Sequence, residues 1–69
     1  MSDVKVDPRR IIVEILEKYG ELNITRISKL SGYSFRSVAK YLSELVEQGF
    51  VEERRYGRLR LFRLRKTQT

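Results

Sequence analysis

The fold of this chain is decided by residues 25–49, T-R-I-S-K-L-S-G-Y-S-F-R-S-V-A-K-Y-L-S-E-L-V-E-Q-G. This stretch predicts two helices joined by a tight turn. The first helix covers residues 25–31, with Thr25 as its N-cap. It ends at Ser31-Gly32, because glycine tolerates the positive φ that a helix C-terminus often needs. The other elements of the chain are predicted around this pair of helices.

The second helix of the pair covers residues 34–48 and has an amphipathic pattern. Ser34 is its predicted N-cap, since a serine hydroxyl can accept a hydrogen bond from a free amide of the first turn. Val38, Leu42 and Leu45 then recur at helical spacing, which predicts that they face a core. The helix therefore has one buried face and leaves the opposite face available for another role.

That opposite face mixes hydrogen-bond donors, cations and aromatic rings, which suits a helix lying in a DNA groove. The candidate DNA-contacting residues on it are Phe35, Arg36, Ser37, Lys40 and Tyr41. Two of the aromatic residues have an alternative role. Phe35 either packs against Tyr33 or contacts a thymine methyl group. Tyr41 either contacts DNA or is a half-buried core residue whose hydroxyl reaches water.

A further amphipathic helix is predicted for residues 7–19, after a flexible arm at residues 1–6. Asp7 is a suitable N-cap, and Pro8 suits the first helical position, where its missing N–H costs no hydrogen bond. The apolar residues of this helix share one face, as is typical of a helix packed on a core. They are Ile11, Ile12, Ile15, Leu16 and Tyr19.

Two extended segments complete the predicted order of elements. Residues 22–24 are too few for a helix and are predicted as a stub strand that pairs with later strands. Residues 50–65 predict a β-hairpin with its turn at Tyr56-Gly57, followed by a frayed tail at residues 66–69. The predicted fold class is therefore α+β, with three helices, a stub strand and a C-terminal hairpin in one domain of 69 residues.

The second strand of the hairpin does not keep one alternation of inward and outward residues. Leu59 and Leu61 share one face, whereas Phe62 and Leu64 share the other. Either a bulge changes the phase or both faces contact protein. The sequence leaves these two alternatives open.

The composition excludes several classes of function. The chain has no cysteine and no histidine, so we expect no disulfide, no thiolate nucleophile and no metal site. No set of groups could act as nucleophile, base and orienting residue together, so we expect neither an enzyme nor a cofactor. No apolar run is long enough for a membrane span or a signal peptide, and the predicted location is the cytoplasm.

The net charge of +6 is concentrated near the C-terminus. Residues 1–49 contain eight Lys/Arg and seven Asp/Glu, whereas residues 50–69 contain seven and two. This positive excess favours a polyanionic partner. Nucleic acid is the first candidate, and an anionic membrane surface is the second. The candidate nucleic-acid contacts around the hairpin turn are Arg54, Arg55, Tyr56, Arg58 and Arg60. Only one of these arginines is expected to pair easily with Glu52 or Glu53.

Together these residues resemble the winged helix-turn-helix family of small transcription regulators from archaea, their viruses and bacteria. The resemblance covers residues 8–64 and is most specific in V-x-x-x-L-x-x-L-x-x-x-G-F-V, residues 38–51. It implies that the helix at residues 34–48 is a recognition helix, which contacts base edges in the major groove of double-stranded DNA. The resemblance adds Ser34, at the start of this helix, to the candidate DNA contacts. It also implies that the hairpin is a wing, which contacts phosphate or the minor groove. The expected protein is a sequence-specific transcription regulator, acting as a monomer or a homodimer.

The chain departs from some branches of this family. Larger relatives of the multidrug-resistance and arsenic-repressor types carry extra dimerisation helices, or metal-sensing cysteine and histidine. This chain shows neither feature, so we expect no response to a ligand or a metal. The chain also lacks the tryptophan and the wing prolines of the left-handed-DNA binders with this fold. Two other functions remain as alternatives. One is a protein-interaction module that uses an apolar face of the hairpin, and the other is RNA or single-stranded DNA binding by aromatic stacking.

Overall fold

The computed structural model describes residues 6–65 of the chain. The described residues form three helices and two strands: α1 (Pro8–Tyr19), α2 (Ile24–Ser31), α3 (Phe35–Glu47), β1 (Val51–Tyr56) and β2 (Leu59–Leu64). The two strands pair antiparallel, so the predicted α+β class is confirmed. Most of the predicted arm and the whole predicted tail lie outside the described residues. Within residues 6–65, no helix combines the length and the apolar composition needed to cross a membrane.

Side-chain caps begin two of the helices at the predicted positions. The carboxylate of Asp7 accepts a hydrogen bond from the backbone N–H of Arg9, at 3.0 Å from nitrogen to oxygen. The hydroxyl of Ser34 accepts one from the backbone N–H of Ser37, at 3.2 Å. Each cap satisfies an amide that has no partner inside its own helix. Local sequence alone was therefore enough to place the start of α1 and of α3.

The start of α2 differs from the prediction. The side-chain oxygen of Asn23 accepts a hydrogen bond from the backbone N–H of Arg26 at 2.8 Å, so Asn23 is the N-cap and Ile24 is already helical. The predicted cap at Thr25 is wrong because Ile24 packs into the core as the first helical residue, which leaves Asn23 in the cap position. The predicted stub strand at residues 22–24 is reduced to Leu22. Its backbone N–H and C=O both bond to Phe62 of β2, at 3.0 and 2.8 Å.

The hydrophobic core lies where the three helices meet the inner face of the hairpin. Its buried residues are Ile12, Ile15, Leu16, Ile24, Ile27, Val38, Leu42, Leu45, Val51 and Phe62. The predicted stripes of α1 and α3 supply most of this core, as their helical spacing indicates. Two residues of the predicted α1 stripe are exceptions: Ile11 is only half-buried, and Tyr19, at the end of α1, is 47% exposed.

The phase of β2 is settled by a regular register without a bulge. All six residue pairs from Val51↔Leu64 to Tyr56↔Leu59 follow in sequence. Phe62 is buried, and Leu64 packs against the core, so these two residues lie on the inner face of the hairpin. The face shared by Leu59 and Leu61 points away from the core.

A two-residue loop sets this register. Tyr56 pairs with Leu59, so the loop is Gly57-Arg58, one residue later than the predicted turn. Gly57 has a φ of 63°, whereas no non-glycine residue among the described ones has a positive φ. Glycine in the first loop position with a positive φ is typical of a type II′ hairpin turn. This turn matches the twist of the two strands and therefore keeps their pairing regular up to the loop.

The choice between the two caps of α2 can be tested by mutation. We expect Asn23→Ala to lower the free energy of unfolding by about 0.5–2 kcal/mol, because one amide of the first turn loses its hydrogen bond. Thr25→Ala is the matched control, and we expect a change within about 0.5 kcal/mol. Urea unfolding followed by circular dichroism measures both values. A larger loss in Thr25→Ala than in Asn23→Ala would contradict the observed cap.

The core can be tested at the centre of α3. Leu42 is 1% exposed, so Leu42→Ala should leave a cavity and cost about 2–5 kcal/mol. That is a large share of the stability of a small domain, and the melting temperature should fall steeply. The exposed neighbour Ser43 provides the control variant Ser43→Ala, which should unfold close to the wild type. A stable Leu42→Ala protein would mean that another face of α3 is buried.

Candidate nucleic-acid interface

The turn between α2 and α3 is held by serine side chains. Gly32 adopts the left-handed conformation, with a φ of 83°, and lets the chain leave α2 abruptly. The hydroxyl of Ser28 donates to the carbonyl oxygen of Tyr33 at 2.5 Å. The backbone N–H of Tyr33 in turn donates to the hydroxyl of Ser31 at 3.2 Å. These bonds within the turn fix the direction in which α3 begins.

Contacts with α1 hold α3 farther along its length. Arg9 donates through Nη1 to the carboxylate of Glu44 at 2.7 Å, and this hydrogen bond is the main reason that the pKa of Arg9 is raised. The Arg9 guanidinium also lies 5.7 Å from the ring centre of Tyr41. The Tyr41 ring meets Tyr33 edge to face, with 6.1 Å between ring centres. Tyr41 is therefore a half-buried packing residue on the side of α3 that faces α1.

The other candidate residues of α3 lie at its start or on its exposed face. Arg36 and Lys40 are both exposed and stand one helical turn apart, so their side chains share one face. The hydroxyl of Ser34 is engaged in capping, and it also bonds to the hydroxyl of Ser37 at 3.1 Å. Phe35 is 57% exposed. The exposed surface of α3 thus presents two cations and one apolar ring.

The tip of the hairpin lies beside the start of α3. Phe35 lines a surface groove together with Arg58, Leu59 and Arg60, and residues 23–25 at the start of α2 complete it. The aromatic partner of Tyr33 is Tyr41, whereas Phe35 lies among the residues of this groove. The structure thus joins the two candidate regions, which are far apart in the sequence, into one surface.

The arginines around the hairpin turn are divided between its two faces. Residues directly opposite in an antiparallel pair have side chains on the same face. Arg55 pairs with Arg60, and both share the inner face with Phe62 by the alternation of a strand. Arg54 and Tyr56 share the outer face, with the Arg54 guanidinium 5.9 Å from the ring centre of Tyr56. The two faces therefore differ in what their arginines contact.

Glu53 binds both inner-face arginines. The Nε–H groups of Arg55 and Arg60 donate to the same oxygen of Glu53, at 3.1 and 2.6 Å. The hydrogen bond from Arg60 is the main reason that the pKa of Glu53 is lowered, and the same bond raises the pKa of Arg60. Glu52 faces the other way and pairs with Arg63 at 3.1 Å.

The expectation that only one arginine of the turn pairs easily with a glutamate is wrong, because Glu53 pairs with two. Arg55 lies two residues from Glu53 along the same strand, and Arg60 lies diagonally across the hairpin. Among the described residues, no carboxylate lies within 4.0 Å of Arg54 or Arg58. The four arginines thus form two classes, a pair held by a carboxylate and two that have no such partner among residues 6–65.

Sequence reasoning expected at most one of these arginines to pair with Glu52 or Glu53, and it did not place Leu59 on this surface. Glu53 could have been recognised from the two-residue period of a strand, which places it on the same face as Arg55. Leu59 lines the groove beside Phe35, and no local signal indicates this because its position in the groove depends on how the hairpin packs.

In the described part of the chain, no cluster of three or more acidic, histidine or cysteine residues could hold a metal ion.

Comparison with known proteins gives a family. The model of the winged helix-turn-helix family matches residues 7–61, which include all five elements except the end of β2. A search of curated protein sequences gives no significant match.

Solved structures share the fold. One is the homodimeric winged helix-turn-helix DNA-binding domain of a possible ArsR-family regulator from Mycobacterium bovis, with 27% identity and a TM-score of 0.78 over 86% of this chain and 54% of that chain. Another is a possible transcriptional regulator for arsenical resistance, with 32% identity and a TM-score of 0.75 over 83% of this chain and 58% of that chain. The matched part of this chain therefore covers little more than half of each chain in these two structures, and the first of those chains is itself a fragment of its regulator.

A third structure with this fold is the Zalpha domain of Carassius auratus PKZ in complex with Z-DNA. The identity is 21% and the TM-score 0.77, over 83% of this chain and 90% of that chain. At this identity the likeness concerns the fold alone. Because the family model spans most of the sequence and the fold agrees with it, this chain belongs to the winged helix-turn-helix family.

Proposed function

We propose that this protein is a sequence-specific, double-stranded DNA-binding transcription regulator. The observation that carries the proposal is the single surface formed by the start of α3 and the basic tip of the wing. An α-helix fits the major groove, where each base pair has its own pattern of donors and acceptors. In this arrangement α3, the recognition helix, enters the major groove while the wing lies over the adjacent backbone or minor groove.

The residues divide this work by their chemistry. Arg36 and Lys40 extend from the exposed face of α3 and can donate to base edges, as arginine does to guanine. Phe35 supplies an apolar ring for a thymine methyl group. Arg58 projects from the loop of the wing and is suited to a phosphate. The hydroxyl of Ser34 donates its hydrogen to that of Ser37, so only the Ser37 hydroxyl keeps a hydrogen that it can donate to the DNA backbone.

The two alternative functions, protein interaction and single-stranded nucleic-acid binding, have fewer accessible residues in the structure than the sequence suggested. A protein-interaction module would have to use Leu59 and Leu61, because Phe62 and Leu64 already pack in or against the core. A single-stranded nucleic-acid binder would stack bases on exposed rings. Tyr41 is half-buried against its neighbours, which leaves Tyr56 in the wing as the exposed tyrosine of the proposed surface.

Selection of bound sequences from a random duplex pool at physiological salt tests the proposal. Enrichment of one motif supports sequence-specific binding. An inverted repeat would further support a two-fold homodimer, the state of the similar Mycobacterium bovis domain, whereas a single half-site would support a monomer. Binding without enrichment would contradict sequence specificity. Failure to bind any duplex would overturn the proposal and favour the protein-interaction alternative.

We expect substitutions in α3 and in the wing loop to differ in their sequence dependence. Arg36→Ala should weaken the selected motif much more than a random duplex, because a base-edge contact is lost only where the correct base is present. Arg58→Ala should weaken both duplexes by similar factors. It should also reduce the slope of log K against log salt concentration by about 0.9, the value for one phosphate contact. Salt titrations of both variants on both duplexes measure these effects.

Lys40→Ala is a second test of the α3 surface, and we expect it to weaken binding to the selected motif as Arg36→Ala does. Circular dichroism provides the folding control for all three variants. Arg36, Lys40 and Arg58 are all exposed, so each variant should melt close to the wild type. An Arg58→Ala protein that keeps the full salt slope and loses only the selected motif would show that the wing is sequence-specific. That outcome would contradict the proposed division of work.

A further inference from the structure

We propose that Glu53 is a positioning residue that holds Arg55 and Arg60 as a two-arginine clamp for a backbone phosphate. The inference rests on the proposed function, because it concerns how the wing would contact DNA. It goes further by assigning a role to an acidic residue within a basic surface. It also separates these two arginines from Arg54 and Arg58, which have no such carboxylate partner among residues 6–65.

The atoms that bind Glu53 leave the outer part of each arginine available. Both arginines donate through Nε to one carboxylate oxygen, at 3.1 and 2.6 Å. A guanidinium has five N–H groups in a rigid fork. The bond to Glu53 uses only the Nε–H. The four N–H groups on the two terminal nitrogens of each guanidinium are not engaged in these bonds. Each guanidinium is therefore held at its inner edge and can bind a phosphate with its outer edge.

The carboxylate also solves an electrostatic problem. Arg55 and Arg60 are directly opposite in the register, and like charges in that position repel each other. Glu53 lies between them with its side chain only 23% exposed, so one negative charge holds two positive ones together. The cluster retains a net charge of +1 and still attracts a phosphate.

One arginine of the clamp, Arg60, is also held by a residue of the hydrophobic core. The Arg60 guanidinium lies 5.6 Å from the ring centre of Phe62, and Phe62 is 2% exposed. A cation close to an aromatic face is held there by electrostatic attraction. The arginine that makes the shorter bond to Glu53 is therefore also tied to a rigid part of the fold.

The clamp lies beside the proposed recognition helix. Arg60 lines the same groove as Phe35 at the start of α3, so a phosphate held there would flank the bases that α3 contacts. The pair formed by Glu52 and Arg63 lies on the other face of the hairpin. Glu52 therefore provides a control with the same charge, the same strand and a different face.

A simple charge argument predicts the opposite result from the clamp. Glu53→Gln makes the protein more positive by one unit, and this alone should tighten binding to any duplex. If Glu53 masks its arginines, their release should tighten binding further. If Glu53 positions them, loss of the charged hydrogen bonds should weaken binding although the net charge rises. The sign of the change separates positioning from masking.

The experiment is a salt titration of Glu53→Gln, Glu52→Gln and the wild type on a random duplex. We expect Glu53→Gln to bind about 3- to 10-fold more weakly than the wild type, the range of one net hydrogen-bond contribution. Its slope against log salt should be smaller in magnitude by up to about 1.8, the value for two phosphate contacts. Glu52→Gln should bind at least as tightly as the wild type. Equal or tighter binding by Glu53→Gln would overturn the proposal.

A second pair of variants keeps the charge constant and does not disturb Glu53. Arg60→Lys retains a cation but loses the planar fork, so its affinity should fall nearly as far as that of Arg60→Ala. Arg63→Lys is the matched control, because Arg63 also pairs with a glutamate but lies on the other face of the hairpin, and it should bind like the wild type. Wild-type affinity and slope in Arg60→Lys would overturn the clamp even if Glu53→Gln failed to fold. If the wild type binds no duplex at all, the proposed function itself fails, which is a different result from failure of the clamp alone.

Discussion

Burial of one face of α3 is the constraint on which the rest of the structure depends. Val38, Leu42 and Leu45 are each at most 3% exposed, and successive residues of a helix are rotated by about 100°. Once these three side chains enter the core, the direction of every other side chain on α3 follows. Arg36 and Lys40 are therefore exposed as a consequence of packing. The same rotation turns Tyr41 towards α1, where Arg9 and Tyr33 receive it.

A second constraint comes from Phe62. It fills the core from β2, and both of its backbone hydrogen-bonding groups bind Leu22. Phe62 therefore fixes how closely the hairpin packs on the core and which of its faces is turned inward. Glu53 stands opposite Phe62 in the register, so the carboxylate must lie on the inner face. Arg55 and Arg60 follow one step farther towards the loop, which places the charged cluster where the core ends and the wing begins.

Much of this fold could be predicted because its decisive signals are local. A cap and its helix are neighbours in sequence, so Asp7 and Ser34 were found correctly. Local signals failed where two residues satisfied the same rule. Asn23 and Thr25 are both good caps, and the alternating leucines of β2 offered two equivalent phases. Packing made both choices, through Ile24 and Phe62. The bond between Arg60 and Glu53 was beyond prediction for the same reason, since it depends on the register across the turn.

The two proposed roles of the wing support each other physically. A phosphate contact is the same for every sequence, so it cannot choose an operator; it positions the protein on the duplex. Positioning is useful only if the contact is rigid, because a flexible arginine would let α3 shift along the groove. Glu53 bonds to two guanidinium groups near the start of α3, and in the proposed complex it would provide that rigidity. Under this proposal an acidic residue in a basic surface would increase the sequence specificity that Arg36 and Lys40 are proposed to provide, without itself contacting a base.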